Sequence, residues 1–245
     1  MFDLHCHILP GADDGAETLQ EALEMAYQAS LGGTRGIVAT PHANLPGEDR
    51  NLWTQAMLEE IDALQDAIYR MNIPVQLYTG QEIFLTEDVP QLLAEQKLLS
   101  INRTGYVLTE LDFQEDGEYA LYLLNLLRQA GYIPILAHPE RYDCIQEKPQ
   151  LAQQIKKAGC LLQINSGSLT GLFGNRVRNT AHLLCRYRLA DVVASDGHRS
   201  HIRTPDMQEA SIMLADMYSE AYAKLLLQIN PYRILCDDEI AGYVK

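Results

Sequence analysis

Histidine, aspartate and glutamate recur in this 245-residue chain at places where short apolar runs end. His5 and His7, in Asp3-Leu4-His5-Cys6-His7, have the period-two spacing that sets two imidazoles on one side of a strand, with Cys6 turned away. His42 follows Ala39-Thr40-Pro41, Glu82 follows Thr79-Gly80-Gln81, Glu110 closes Val107-Leu108-Thr109 and His138 closes Leu136-Ala137. Asp196 and His198 flank Gly197 after Ala194-Ser195, and Asp14 lies in the segment beyond the first run. Each group alone is weak, since a strand-end acid is usually a cap and a buried histidine is usually a hydrogen-bonded core residue. Together they describe a cation cluster. Buried carboxylates gathered this closely would repel one another unless cations offset them. Mixed imidazole and carboxylate donors suit Zn, Mn or Fe, with Mg a poorer match for so many histidines. Nine groups are too many for one ion and too few for three closed shells, so shared carboxylates and bridging water would leave positions open for substrate. Three divalent ions, four carboxylates and a bridging hydroxide would leave roughly one net positive charge, receptive to an anion such as phosphate.

Such groups converge only if the strands that carry them are parallel and end on one face. Runs rich in β-branched residues at 2–6, 36–40, 75–80, 106–111, 133–137, 161–164 and 192–195 alternate with segments of helical period at 18–31, 52–71, 119–130, 149–158 and 176–188. Six of these seven candidate strands end in His, Asp or Glu. Residues 207–229 are expected to form one long closing helix. Thr18 with Glu21 three residues on has the pattern of a capping box, and Gly131 and Gly159 fall where a left-handed C-cap is common. The alternation is that of an α/β protein. A barrel of βα units, whose sites are built at the C-terminal ends of its strands, is favoured over an open doubly wound sheet, which the pattern alone also permits. No repeat, low-complexity tract or linker divides the chain, so residues 1–245 are expected to form a single domain.

The formal charge of −14 opposes binding to nucleic acid or to anionic membrane. The chain shows no signal-peptide pattern and no apolar stretch near the ~20 residues of a membrane span, so a cytoplasmic location without stable membrane insertion is expected. Five scattered cysteines without a CxxC pair are expected to be free thiols. None is followed six residues later by arginine, so the Cys-x5-Arg phosphate loop of cysteine-based tyrosine phosphatases is missing. The thiols are expected to act as small core hydrophobes.

At these residues the sequence resembles the polymerase-and-histidinol-phosphatase (PHP) superfamily, whose motifs run in the same order. They are His5-x-His7, Thr40-Pro41-His42, His138-Pro139-Glu140-Arg141 and Asp196-Gly197-His198. Within it the chain looks most like the bacterial manganese-dependent protein-tyrosine phosphatases of capsule and exopolysaccharide operons. The matching stretches run from Asp3 to Gly15, from His138 to Tyr142, from Gln163 to Gly171 and from Ser195 to His198. The resemblance implies a distorted (β/α)7 TIM-like barrel, the PHP fold, with three divalent ions, Mn2+ foremost, in its mouth. It implies His5, His7, Glu82 and Asp196 around one metal, Glu82, Glu110 and His138 around a second, and Asp14, His42 and His198 around a third. It also implies a phosphotyrosine protein substrate, the tyrosine-rich tail of a bacterial tyrosine kinase that controls polysaccharide export. The one departure is Gly197, where these enzymes often carry another residue; it bears on loop shape.

The expected chemistry is phosphomonoester hydrolysis by a metal-bridging hydroxide, with the cations stabilising the leaving phenolate. Arg141 is expected to contact phosphate, against the alternative of an ion pair with a neighbouring acid. Arg203 is a second clamp or a surface residue. Asp112 is the substitute for Glu110, Asp13 a turn residue, His182 structural or exposed, His201 part of a surface loop, and Trp53 and Tyr69 packing residues on a helix. The rival functions are a small-molecule phosphatase of the histidinol-phosphate type, a metal-dependent amidohydrolase and a non-enzymatic barrel. No lysine ends a candidate strand to be carboxylated, as is common in amidohydrolases, and all nine ligand positions are filled, against an inactive barrel.

Overall fold

The computed structural model describes residues 1–47 and 51–240. Its strands are β1 (Phe2–Cys6), β2 (Gly36–Ala39), β3 (His42–Ala43), β4 (Gln76–Thr79) and β5 (Glu82–Phe84), then β6 (Tyr106–Glu110), β7 (Ile133–Ala137), β8 (Leu161–Asn165) and β9 (Val192–Ala194). The helices between them are α1 (Leu19–Leu31), α2 (Gln55–Arg70), α3 (Val89–Ala94), α4 (Gly117–Gln129), α5 (Asp143–Glu147) and α6 (Gln150–Lys157). They continue as α7 (Ser166–Thr170), α8 (Asn175–Arg186), α9 (Gln208–Met217), α10 (Glu220–Lys224) and α11 (Asn230–Leu235).

All strand pairs are parallel, in a three-stranded sheet β1-β2-β4 and a six-stranded sheet β3-β5-β6-β7-β8-β9. Seven strands were expected and nine are present among the described residues, because two of the seven are broken. Pro41, which has no amide hydrogen to offer the ladder, separates β2 from β3. Gly80 separates β4 from β5, and a Cβ there would lie 2.7 Å from Val38 Cγ1. Each broken strand passes from the first sheet to the second, carrying His42 and Glu82 into the larger one. The far edge is joined where Asp196 N donates to His5 O at 2.8 Å and His7 N donates to Gly197 O at 2.8 Å. The result is the expected distorted barrel, with a ladder that does not run as one closed sheet.

Three apolar clusters sort the faces. Leu4, Val38, Leu108, Ile135, Leu161 and Val192 fill the interior, which α11 closes from below with Ile234 and Leu235. Helices α1 and α2 pack outside β1, β2 and β4, and the remaining helices cover the larger sheet. The interior is therefore a packed apolar floor, and the buried histidines and acids of the strand ends gather above it. Thr18 caps α1 by accepting from Glu21 N at 3.2 Å, and Gly131 and Gly159 adopt φ of +92° and +83° after α4 and α6.

The single closing helix expected over 207–229 is instead broken. α9 ends at Met217, Ser219 is extended and caps α10 through its hydroxyl, and Leu225–Ile229 takes the wider π form. Periodicity carried across the break because both sides of it face the same core.

Candidate metal centre

The strand ends bring the expected groups together, and the first device is in β1. Asp3 pairs with Ile37 and Cys6 with Ala39, so three steps along β1 match two along β2. That extra residue shifts the alternation. Leu4 packs into the interior floor and Cys6 packs outward, while His5 and His7 rise above the floor. Below them Asp3, buried, accepts from Ser195 N at 2.9 Å and Ser195 Oγ at 2.5 Å, tying β1 to the end of β9. Gly15 closes the following loop over His7: a Cβ there would lie 2.1 Å from His7 O. His138 and Asp196 both adopt left-handed backbone, φ +37° and +52°, which costs non-glycine residues energy and is concentrated at functional sites.

Two carboxylates are central. Glu82 Oε2 lies 3.1 Å from His5 Nε2, 3.3 Å from His7 Nε2 and 3.1 Å from His42 Nδ1, while its Oε1 is 2.9 Å from His138 Nε2. Asp196 Oδ1 lies 3.4 Å from His5 Nε2, 3.5 Å from His7 Nε2 and 3.4 Å from His198 Nδ1. Glu110 accepts from His42 Nδ1 at 2.8 Å. Asp14, exposed, places Oδ1 3.4 Å from His198 Nε2 and 3.6 Å from His42 Nε2. The donor atoms fall into three overlapping groups: His7, Asp14, His42 and His198; His5, His7 and Asp196; and His42, Glu82 and Glu110.

Whether such a set fits a cation is decided by its lone pairs. Gln163 donates its amide to Asn165 Oδ1 at 2.8 Å, which leaves Gln163 Oε1 to accept from His5 Nδ1 at 2.9 Å. Asp13 Oδ2 accepts from His7 Nδ1 at 2.6 Å. Both histidines are thereby turned so that Nε2 carries the lone pair, and those two nitrogens face each other at 3.1 Å. Two lone pairs at that distance call for a positive charge between them. His138 stands outside the three groups, with its Nε2 on Glu82 Oε1 and its Nδ1 buried without a hydrogen-bond partner. The donor set fits divalent cations.

The electrostatics agree. Burial opposes the charged form of His5 and His7, yet Glu82 and Asp196 hold His5 above its ordinary range, and Asp13 with its neighbours holds His7 well above. His42 is also opposed by burial and is raised to about 9 by Glu82 and Glu110. Burial works against the carboxylates too, but His5 and His42 keep Glu82 ionised, and His5, His7 and Arg203 keep Asp196 ionised. His198 goes the other way, pushed down by burial and by the charge of His7. The cluster is a buried anionic field that draws in either protons or cations.

Arg141 and Arg203 stand on one edge of the cluster. Asp196 Oδ2 accepts from Arg203 Nη2 at 2.6 Å and from Asn165 Nδ2 at 2.6 Å, and Arg141 Nη1 is 3.6 Å away. Arg203 is thus at the site and is not a detached surface residue, while Arg141 has an acid neighbour and remains partly exposed. Glu110 is buried, whereas Asp112 is exposed and only caps a turn at Gln114 N. His201 is exposed, and His182 is buried with its Nε2 donating to Leu169 O at 3.1 Å. Tyr69, expected to pack, is 80% exposed, and Trp53 precedes α2. The thiols of Cys160 and Cys185 are pushed up to about 12 by burial, which leaves them unreactive.

Asp13 is the residue that the sequence undervalued. As well as holding His7 it accepts from His42 N at 2.9 Å through Oδ2 and from Gly15 N at 2.9 Å through Oδ1. Its carboxylate stays ionised against burial because of His7. Gln163 and Asn165 were also missed as supports. Of the seven expected strands, the one that became β8 is the one whose end has no ionisable group, and its two amides at i and i+2 brace His5 and Asp196 instead. That spacing, the same as in His5-x-His7, was the available signal.

Residues 1–236 match the family described as capsular polysaccharide synthesis, CpsB/CapC. The tyrosine-protein phosphatase YwqE of Bacillus subtilis (strain 168) is 39% identical over 228 residues, covering 93% of this chain and 89% of that protein. A solved structure described as YwqE from Bacillus subtilis and CpsB from Streptococcus pneumoniae, metal-dependent tyrosine phosphatases, superposes with a TM-score of 0.91 at 37% identity over 100% of both chains. A histidinol phosphate phosphatase from Lactococcus lactis superposes with a TM-score of 0.58 at 16% identity over 92% of this chain and 94% of that one, a likeness of fold alone.

Proposed function

The chain belongs to the CpsB/CapC capsular polysaccharide synthesis family, and from that premise we propose that it is a metal-dependent protein-tyrosine phosphatase acting in capsule or exopolysaccharide synthesis. The observation that carries the chemistry is the pair of facing Nε2 atoms of His5 and His7 between Glu82 and Asp196, with Arg141 and Arg203 at the rim. The ligands are His5, His7, Asp14, His42, Glu82, Glu110, His138, Asp196 and His198, and the complement is three divalent ions, Mn2+ foremost.

Bound cations supply an activated water and neutralise the charge that develops on the phosphoryl group. The chain's own residues do the rest. Arg141 and Arg203 hold phosphate oxygens through their guanidinium forks, and one of Asp196's two oxygens orients Arg203. Asp13, Gln163 and Asn165 keep the imidazoles in the tautomer that presents Nε2 inward. The packed floor beneath His5 keeps water from entering from below. No cysteine takes part: the buried thiols sit far from the thiolate form.

The substrate is a phosphotyrosine protein, the tyrosine-rich tail of a bacterial tyrosine kinase. The five free cysteines suit action in the reducing cytoplasm, and no helix among the described residues is long and apolar enough to cross a membrane. The test compares a phosphotyrosine peptide with histidinol phosphate in the presence of Mn2+ and again after chelation. Turnover of the peptide that disappears on chelation is expected; a preference for histidinol phosphate would overturn the substrate assignment.

A further inference from the structure

Phe113 and Phe173 belong to none of the three apolar clusters, although the chain has just four phenylalanines. They come from different loops, Phe113 between β6 and α4 and Phe173 between α7 and α8, and meet at one place. The Arg141 guanidinium lies over both rings, 4.3 Å from the Phe113 centroid and 4.7 Å from that of Phe173. Arg203 is 5.7 Å from Phe173. Phe113 also meets His138 edge to face, centroids 5.6 Å apart at 61°. Both rings thus border the arginines, and Phe113 borders the metal centre as well.

Each ring is held in place. Phe113 accepts from Asp143 N through its carbonyl at 2.9 Å, and its ring lies 5.8 Å from that of buried Tyr142. Phe173 sits in a turn between Gly171 and Gly174, both of positive φ, and packs so close to Gly167 that a Cβ there would lie 3.3 Å from its ring. Beyond it a cleft of about 290 Å³ continues past Leu172, Ile202 and Arg203. Phe113 remains 39% exposed. An exposed ring and a half-buried one, both anchored beside a phosphate clamp, are placed to receive another flat apolar group.

We propose that Phe113 and Phe173 form an aryl slot at the mouth of the metal centre and make the enzyme select aryl over alkyl phosphate monoesters. This rests on the phosphatase reading above and identifies the residues behind its preference for tyrosine. With the phosphate against Arg141 and Arg203, the ester substituent must leave past these two rings. A phenyl group gains stacking contact there, and a short polar alkyl group gains little. The alternative is that the rings only hold the Arg141 guanidinium by cation–π attraction, in which case they serve every phosphate ester equally.

The experiment measures kcat/KM of the Mn2+-loaded enzyme on phenyl phosphate, glycerol phosphate and a phosphotyrosine peptide, for the wild type, Phe113→Leu and Phe173→Leu. Metal content and melting temperature are read alongside to verify folding, with Phe113→Tyr and Phe173→Tyr as conservative counterparts. The phenyl-to-glycerol ratio is expected to fall about tenfold in each leucine variant and to return towards the wild-type ratio with tyrosine. Equal losses on both esters, or no aryl preference in the wild type, would overturn the slot. A wild type that ignores the peptide yet shows the phenyl preference, lost in the leucine variants, supports the slot and overturns the protein-substrate reading.

Discussion

Replacing Asp13, a residue that is proposed to touch neither metal nor substrate, should weaken metal binding. In Asp13→Ala three acceptor contacts vanish, those to His7 Nδ1 at 2.6 Å, His42 N at 2.9 Å and Gly15 N at 2.9 Å. The bond to His7 is charge-assisted and contributes about 2 kcal/mol, and each stranded amide costs about 1 kcal/mol or more where water does not reach it. A stability loss of about 4 kcal/mol is expected. The effect on the metal is separate. Without Asp13, His7 is free to carry its proton on Nε2, where the lone pair is needed. Loss of such a support lowers metal affinity by roughly 10- to 100-fold, or about 1.4–2.7 kcal/mol. Asp13→Asn keeps an oxygen for His7 and His42 but loses the charge, so it should fold well and lose about tenfold in affinity. Calorimetric titration of metal-free protein with Mn2+, with melting curves in parallel, measures both. Wild-type affinity in a folded Asp13→Ala or Asp13→Asn protein would refute the tautomer argument.

His42, raised to about 9, carries a proton at pH 7 that a metal must displace, and the carboxylates around His5 and His7 favour protonation there too. Mn2+ affinity should therefore weaken as pH falls from about 8 to 6, and binding should release protons; titrations in buffers of different ionisation heat that show no release would contradict this. Arg203→Ala should lower kcat/KM about 100-fold with metal content nearly unchanged, and Arg203→Lys should restore little because one ammonium cannot replace the fork. Replacing Cys144 and Cys236 by alanine should leave turnover within about twofold of wild type, measured on a phosphotyrosine peptide.

The sequence carried the site further than it carried the frame. His5, His42, Glu82, Glu110, His138 and Asp196 announce themselves because strand ends in a buried barrel are otherwise apolar, and ionisable groups there need a reason. What sequence pattern could not carry was tertiary register. The extra residue in β1 is visible only against β2, and without it the alternation would set Leu4 and Cys6 on the same face. β3 and β5 are too short to make a pattern and exist because Pro41 and Gly80 turn two strands into the second sheet. Asp13 looks like a turn residue because it is one, bonding Gly15 N; that its other oxygen reaches His7 depends on how the loop folds back. The break at Ser219 is hidden because the periodicity on both sides serves one core.

Nine named side chains are proposed to hold a cluster of divalent ions. Anomalous scattering from crystals of gently purified protein, collected across the Mn, Fe and Zn absorption edges, counts and places those ions in one measurement. Three peaks are expected, between His5 and His7, beside Glu82 and Glu110, and beside Asp14 and His198. Fewer than two ions per chain, or peaks away from these residues, would contradict the account.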